Sequence, residues 1–197
     1  GANVLSICIA IGLPAVGLMG YSASLARDRE RGIFQRLRAA PIHTGAIMLS
    51  RILVQLSVIA AMTLVTCLAA YAVDGIAVSL PHLVVLVIAS AIGGLAFLAL
   101  GQFVVAFIIS TDAVNAATRL LYFPIAIVGA LGQIGLFGQT VENIVVWSPL
   151  GTTKTMLAAA LDFGAIDSDA AIAVLVTLAY GAVFAFFGIR NFRWTMQ

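Results

Sequence analysis

From residue 82 to residue 109 the chain reads HLVVLVIASAIGGLAFLALGQFVVAFII. No charge follows His82, and the apolar residues run on without the period-two alternation of a half-buried strand. A membrane-crossing helix needs ~20 mostly apolar residues, and this run exceeds that. Four further segments are of the same kind: Val4 to Ala26, Ala46 to Val73, Leu120 to about Phe137, and Ala170 to Ile189. The whole composition agrees. Of 197 residues 62% are hydrophobic and 9% charged, against about 45–50% and about 25% in a soluble domain. Eighteen charges cannot cover a water-facing surface of this size. The fold class expected is an all-α integral membrane protein, a polytopic helical bundle with five spans in one domain over residues 1–197. The same apolar content excludes disorder, and a net charge of +2 gives no footing for nucleic acid.

The connecting segments set an orientation. Arg27, Arg29, Arg31, Arg36 and Arg38 lie between the first two spans, and Arg51 lies at the same end of the second. Arg119 precedes the fourth span, while Arg190 and Arg193 follow the fifth. All nine fall on one side when the spans alternate, and only Lys154 falls on the other. By the positive-inside rule that side is the cytoplasm. The protein is then expected in the cell inner or plasma membrane, with the N-terminus of this segment outside and the C-terminus inside. A chain that starts outside without a signal peptide calls for an earlier span, so a first helix ahead of residue 1 is expected. Asp112 and Arg119 are expected in a tight cytoplasmic turn within Ser110 to Arg119. The external stretch 138–169 reads as two short apolar pieces, one up to Trp147 and one from Thr152 to Leu161. Both should lie on or dip into the outer membrane surface.

The richest segment is the coupling loop 27–45, and above all Arg27 to Arg38, where seven of the eighteen charges fall within twelve residues. Gly32 can take the left-handed conformation that ends a helix, so the first span should run past its apolar part and stop there. A short helix then starts near Ile33. Ile33, Phe34 and Leu37 share one face, Gln35, Arg36 and Arg38 the other, and Pro41 ends it. A basic loop on anionic lipid would look similar. Here, though, Asp28 and Glu30 interrupt the arginines, and the apolar face is only about a turn and a half long, which suits a docking knob.

Glu30-Arg31-Gly32, followed by Leu37, Pro41 and a new membrane helix, resembles the cytoplasmic loop of type-2 ATP-binding-cassette exporter permeases. Pro149-Leu150-Gly151, ahead of the last span, resembles the external element of the same family. The resemblance covers the whole chain as family spans two to six. It implies that a coupling helix formed by Glu30, Arg31, Gly32, Ile33, Phe34, Arg36, Leu37, Arg38 and Pro41 docks on a partner ATPase. It further implies two copies of that ATPase, which carry the ATP and Mg2+, and a second permease half, identical or not. The chain departs from the family around the family's fifth span, the fourth here, where Gly129, Gly132, Gly135 and Gly138 stand at a spacing of three and no proline occurs between them and Pro149.

No cofactor is expected in this chain itself. It has no Gly-rich phosphate loop and no His-Glu-x-x-His, and His43 and His82 lie on opposite sides of the membrane. No charge sits deep in a span, which argues against a carrier driven by intramembrane carboxylates. Energy must then come from a partner. Gln55, Gln102 and Gln133 are the candidates for a weakly polar substrate path, since glutamine is costly in lipid. Ser57, Thr63, Thr66 and Thr177 are expected to bond between helices. Gly17, Gly20, Gly93 and Gly94 should allow close helix packing, and Cys8 and Cys67 should be small buried hydrophobes. The apolar lining favours a hydrophobic or amphipathic substrate such as a drug, a lipid or a lipid-linked molecule. The alternative is a membrane scaffold or sensor subunit that transports nothing and has no use for a docking helix at 33–38.

Overall fold

The structure is a computed structural model that describes residues 2–33, 44–132, 139–162 and 168–191. Every regular element among the described residues is helical. The first rod comprises α1 (Ala2–Pro14), a π-helical stretch (Ala15–Tyr21) and α2 (Ser22–Glu30). Then come α3 (Thr44–Asp74), α4 (Leu80–Phe107), α5 (Thr111–Gly132), α6 (Gln139–Val146), α7 (Pro149–Leu161) and α8 (Ser168–Arg190). Among the described residues, five helical segments are long and apolar enough to cross a membrane. The π stretch has a local cause. Pro14 has no N–H to give and its ring crowds the carbonyl one turn back, so the usual ladder breaks there and resumes at Ser22.

The five long segments are not equivalent. Half of the most apolar window of the first rod is buried, and 44% of that of α4, against 17% for each of α3, α5 and α8. The first rod and α4 are therefore the inner pair. α4 packs against α1, the π stretch, α2, α3, α5, α7 and α8. Its core partners include Ile9, Leu13, Leu18 and Leu25 of the first rod and Leu150 and Leu157 of α7. The outer helices turn large apolar side chains outward, among them Val65, Leu68, Leu120, Leu175 and Ile189. Such a surface suits hydrocarbon rather than water. The inner pair meets backbone to backbone. A Cβ on Gly17 would lie 2.9 Å from the Leu98 nitrogen, and one on Gly101 would lie 2.6 Å from the Gly17 carbonyl oxygen. Gly93 and Gly94 are also in tight contact, with Thr153 and Ile59 respectively. Gly20 is not: a Cβ there would meet only Ala15 of its own rod, at 3.6 Å.

Three further expectations change. The sequence puts the start of the fourth apolar run at Leu120, after a turn within 110–119, yet α5 begins at Thr111 and holds both Asp112 and Arg119. The signal is a helix start: the Ser110 hydroxyl accepts the Ala113 N–H at 3.1 Å, and Asp112 sits in the first turn, where the helix dipole favours an acid. Only Ile108 to Ser110 separate α4 from α5. Among the described residues, Ser57, Thr63 and Thr66 do not bond between helices. Each hydroxyl reaches the carbonyl of its own helix four residues back, a bond always within range of a short side chain. Thr177 does bond across, donating to the Thr152 hydroxyl at 3.0 Å. Cys67 is buried, but Cys8 faces outward and is exposed.

α6 and α7 form a hairpin that enters the bundle. At one end Leu161 shares a shallow cleft with Ile76 to Ser79 and His82, beside the start of α4. At the other, Thr153 lies against Gly93, thirteen residues along α4 and so ~20 Å from its start. The tip explains its own sequence. Ser148 is the N-cap, its hydroxyl accepting the Gly151 N–H at 3.1 Å, and Pro149 takes the first helical position, where no N–H is required. Leu150 is buried against Gly129, and a side chain at 151 would strike the Val145 and Val146 carbonyls. The Tyr180 hydroxyl donates to the Trp147 carbonyl at 2.9 Å and ties the tip to α8.

Candidate functional site

The last turn of α2, Arg27 to Glu30, lies beyond the apolar run that ends at Ala26. The helix stops where the chain predicts. Arg31 closes it, and Gly32 takes φ +66°, a conformation that costs a side-chain-bearing residue ~1–2 kcal/mol. The Arg31 N–H donates to the Arg27 carbonyl at 3.0 Å, and the Gly32 N–H to the Arg29 carbonyl at 3.1 Å. The departing loop is thus bonded back onto this turn.

Three consecutive side chains of the turn each hold a different element. Asp28 pairs with Arg51 at 2.5 Å, both side chains about one-fifth exposed, which ties α2 to the start of α3. Arg29 is 5% exposed and aims its guanidinium at the end of α4. One terminal nitrogen donates to the Val105 carbonyl at 2.8 Å. The other donates to Ile108 at 2.5 Å and Ile109 at 2.7 Å. The last carbonyls of a helix have no intrahelical partner and carry partial negative charge, so a fixed cationic fork is well matched to them. Charge-assisted bonds of this kind contribute ~1.5–3 kcal/mol each, without simple additivity. Glu30 is exposed and accepts the Thr111 N–H, the first of α5, at 2.7 Å. That backbone bond holds the Glu30 carboxyl below its ordinary range. Arg29 and Glu30 together grip the α4–α5 turn from both sides.

From the sequence, Glu30 belongs to a partner surface and Arg29 counts only as a basic residue, so the clamp is not legible there. The available signal was the acid–base alternation at 27–31. The partners Val105, Ile108 and Thr111 lie some eighty residues away and offer main-chain atoms, which no side-chain pattern announces. Of the remaining coupling residues, Arg31 is exposed and Ile33 half-buried. Phe34, Arg36, Leu37, Arg38 and Pro41 lie outside the described residues, as does Gln133. Gln102 accepts the Tyr21 hydroxyl at 3.1 Å and lies against Gly188. Gln55 is half-buried on α3, and among the described residues no hydrogen bond joins it to Gln102. Pro149, Leu150 and Gly151 form the hairpin tip.

A sequence model of the family described as ABC-2 type transporter matches residues 3–150. The chain belongs to the ABC-2 type transporter family. The match runs from the first rod through the clamp and ends at Leu150 in the hairpin tip. As an ABC-2 family member the chain is a multi-pass membrane protein and the permease component of an ABC transporter. No curated protein matches it.

Proposed function

We propose that this permease component is one half of an exporter. Two halves and two copies of an ATPase would form the working transporter, with ATP and Mg2+ held by the ATPases. The arginine-rich end would face the cytoplasm, because nine of ten basic residues lie there. The loop 31–43 would dock on the ATPase through Ile33, Phe34 and Leu37, with Arg36 and Arg38 at the rim. ATP binding would draw the ATPases together, and the docked loop would carry that motion into the spans. A hydrophobic or amphipathic molecule would then leave outward past lightly polar positions such as Gln55, Gln102 and Gln133.

The observation that carries this reading is the turn Arg27 to Glu30. It bonds the start of the loop to the ends of three other helices. A scaffold needs no such convergence at the root of a docking segment. The test is reconstitution with the ATPase in proteoliposomes that carry a fluorescent-tagged phospholipid and, separately, a lipophilic cationic dye. ATP-driven movement of either probe toward the face opposite the ATPase is expected. ATP hydrolysis that never responds to the permease, with neither probe moved, would favour the scaffold.

A further inference from the structure

We infer that Arg29 and Glu30 are positioning residues of the transport cycle, which carry displacement of the 31–43 loop into the α4–α5 turn. The inference rests on the exporter reading and adds the route of transmission. Two routes lead from the loop into the bundle. The axial route runs up α2 and meets the π stretch and Pro14, where the regular ladder is interrupted and the rod is easiest to bend. The lateral route is short and directional. Arg29 holds three carbonyls over Val105 to Ile109, and Glu30 holds the first N–H of α5. Only Ile108 to Ser110 lie between these two grips, so the turn cannot stay behind when the end of α2 moves. Arg29 is almost fully buried, which shields its bonds from competing water. Beyond the turn the load enters α4, which packs on most of the bundle and meets the hairpin at Gly93 and Thr153. The clamp thus links the loop at one end to the hairpin inserted from the other.

A merely structural clamp would hold the fold without relaying anything, and the experiment separates the two. A spin label is placed at Ala116→Cys, exposed one turn into α5, with Cys8 and Cys67 replaced by alanine. Its spectrum is recorded in lipid nanodiscs with the ATPase bound, before and after ATP–vanadate trapping. Two variants break the clamp without touching the loop. Arg29→Gln removes the fork. Thr111→Pro removes the N–H that Glu30 accepts, at a first helical position where proline is tolerated. Wild type should show a nucleotide-driven change in label mobility. Both variants should keep ATPase association within about twofold and lose most of that change, and Arg29→Lys should retain part of it. A full nucleotide response in Thr111→Pro and Arg29→Gln overturns the inference, as does a wild type that binds ATPase and shows no change at 116. Should Arg29→Gln fail to fold, Thr111→Pro alone decides. If the wild-type chain binds no ATPase, the exporter reading itself falls, and the inference falls with it.

Discussion

Arg29 carries the most specific chemistry in the described residues. A planar fork satisfies carbonyls from three residues at once, and no other side chain offers that geometry. Replacing it by glutamine leaves helix-end carbonyls without their cation. We expect a loss of about 2 kcal/mol or more, read as a fall of several degrees in apparent Tm by fluorescence-detected size exclusion. Arg29→Lys should lose less, and Arg31→Gln, at an exposed position, should lose almost nothing. Equal Tm values for the three would mean the guanidinium bonds contribute nothing. Glu30 gives a pH signature. Its folded pKa is depressed, so its contribution is complete above the unfolded value and lost as pH falls through the folded one. The Tm difference between wild type and Glu30→Gln should be flat from about pH 8 to about pH 5 and shrink below ~4.3, the ordinary glutamate value. A difference that grows toward acid would contradict the bond to Thr111. The acids at 28 and 30 were visible in the sequence as unnecessary for lipid binding. Their use was not, since Glu30 binds a backbone atom and the partner of Asp28 is an arginine on another helix.

At the scale of elements, glycines set how closely neighbouring helices approach. Gly101 faces the Gly17 carbonyl and the Ser22 hydroxyl, and Gly151 faces the Val145 and Val146 carbonyls. Gly101→Ala and Gly151→Ala should each lower Tm and membrane yield clearly, while Gly20→Ala, with ordinary contact only, should be near neutral or stabilising. Thermal unfolding of the three variants checks the order. A Gly101→Ala chain as stable as wild type would mean the inner pair can part without cost. The existence of the five long helices was legible, because length and apolar content alone decide whether a helix can cross. The start of α5 was not, because Ser110 to Arg119 is too polar for an apolar-run reading, and its true signal is the cap at Ser110. The hairpin was half legible. Its two pieces and its break at Ser148-Pro149 were readable, whereas its depth depends on Gly93, Gly129 and Thr177, residues that carry no local mark of what they meet.

At the scale of the whole molecule, orientation and partnership can each be tested. With Cys8 and Cys67 replaced, a single cysteine at Arg31 should resist a membrane-impermeant maleimide added to intact cells and react once the membrane is opened. A cysteine at Asp162 should react from outside. Labelling of position 31 in intact cells would reverse the orientation and remove the loop from the ATPase. The partnership claim is the central one, and co-purification of the ATPase at equal membrane expression addresses it most directly. Central apolar and aromatic anchors contribute ~2 kcal/mol or more in an interface, and rim charges less. Phe34→Ala should therefore lose more ATPase than Arg38→Ala, and a joint alanine replacement of Ile33, Phe34 and Leu37 should lose nearly all of it while the permease still inserts. Full retention of the ATPase by that triple variant would contradict the account.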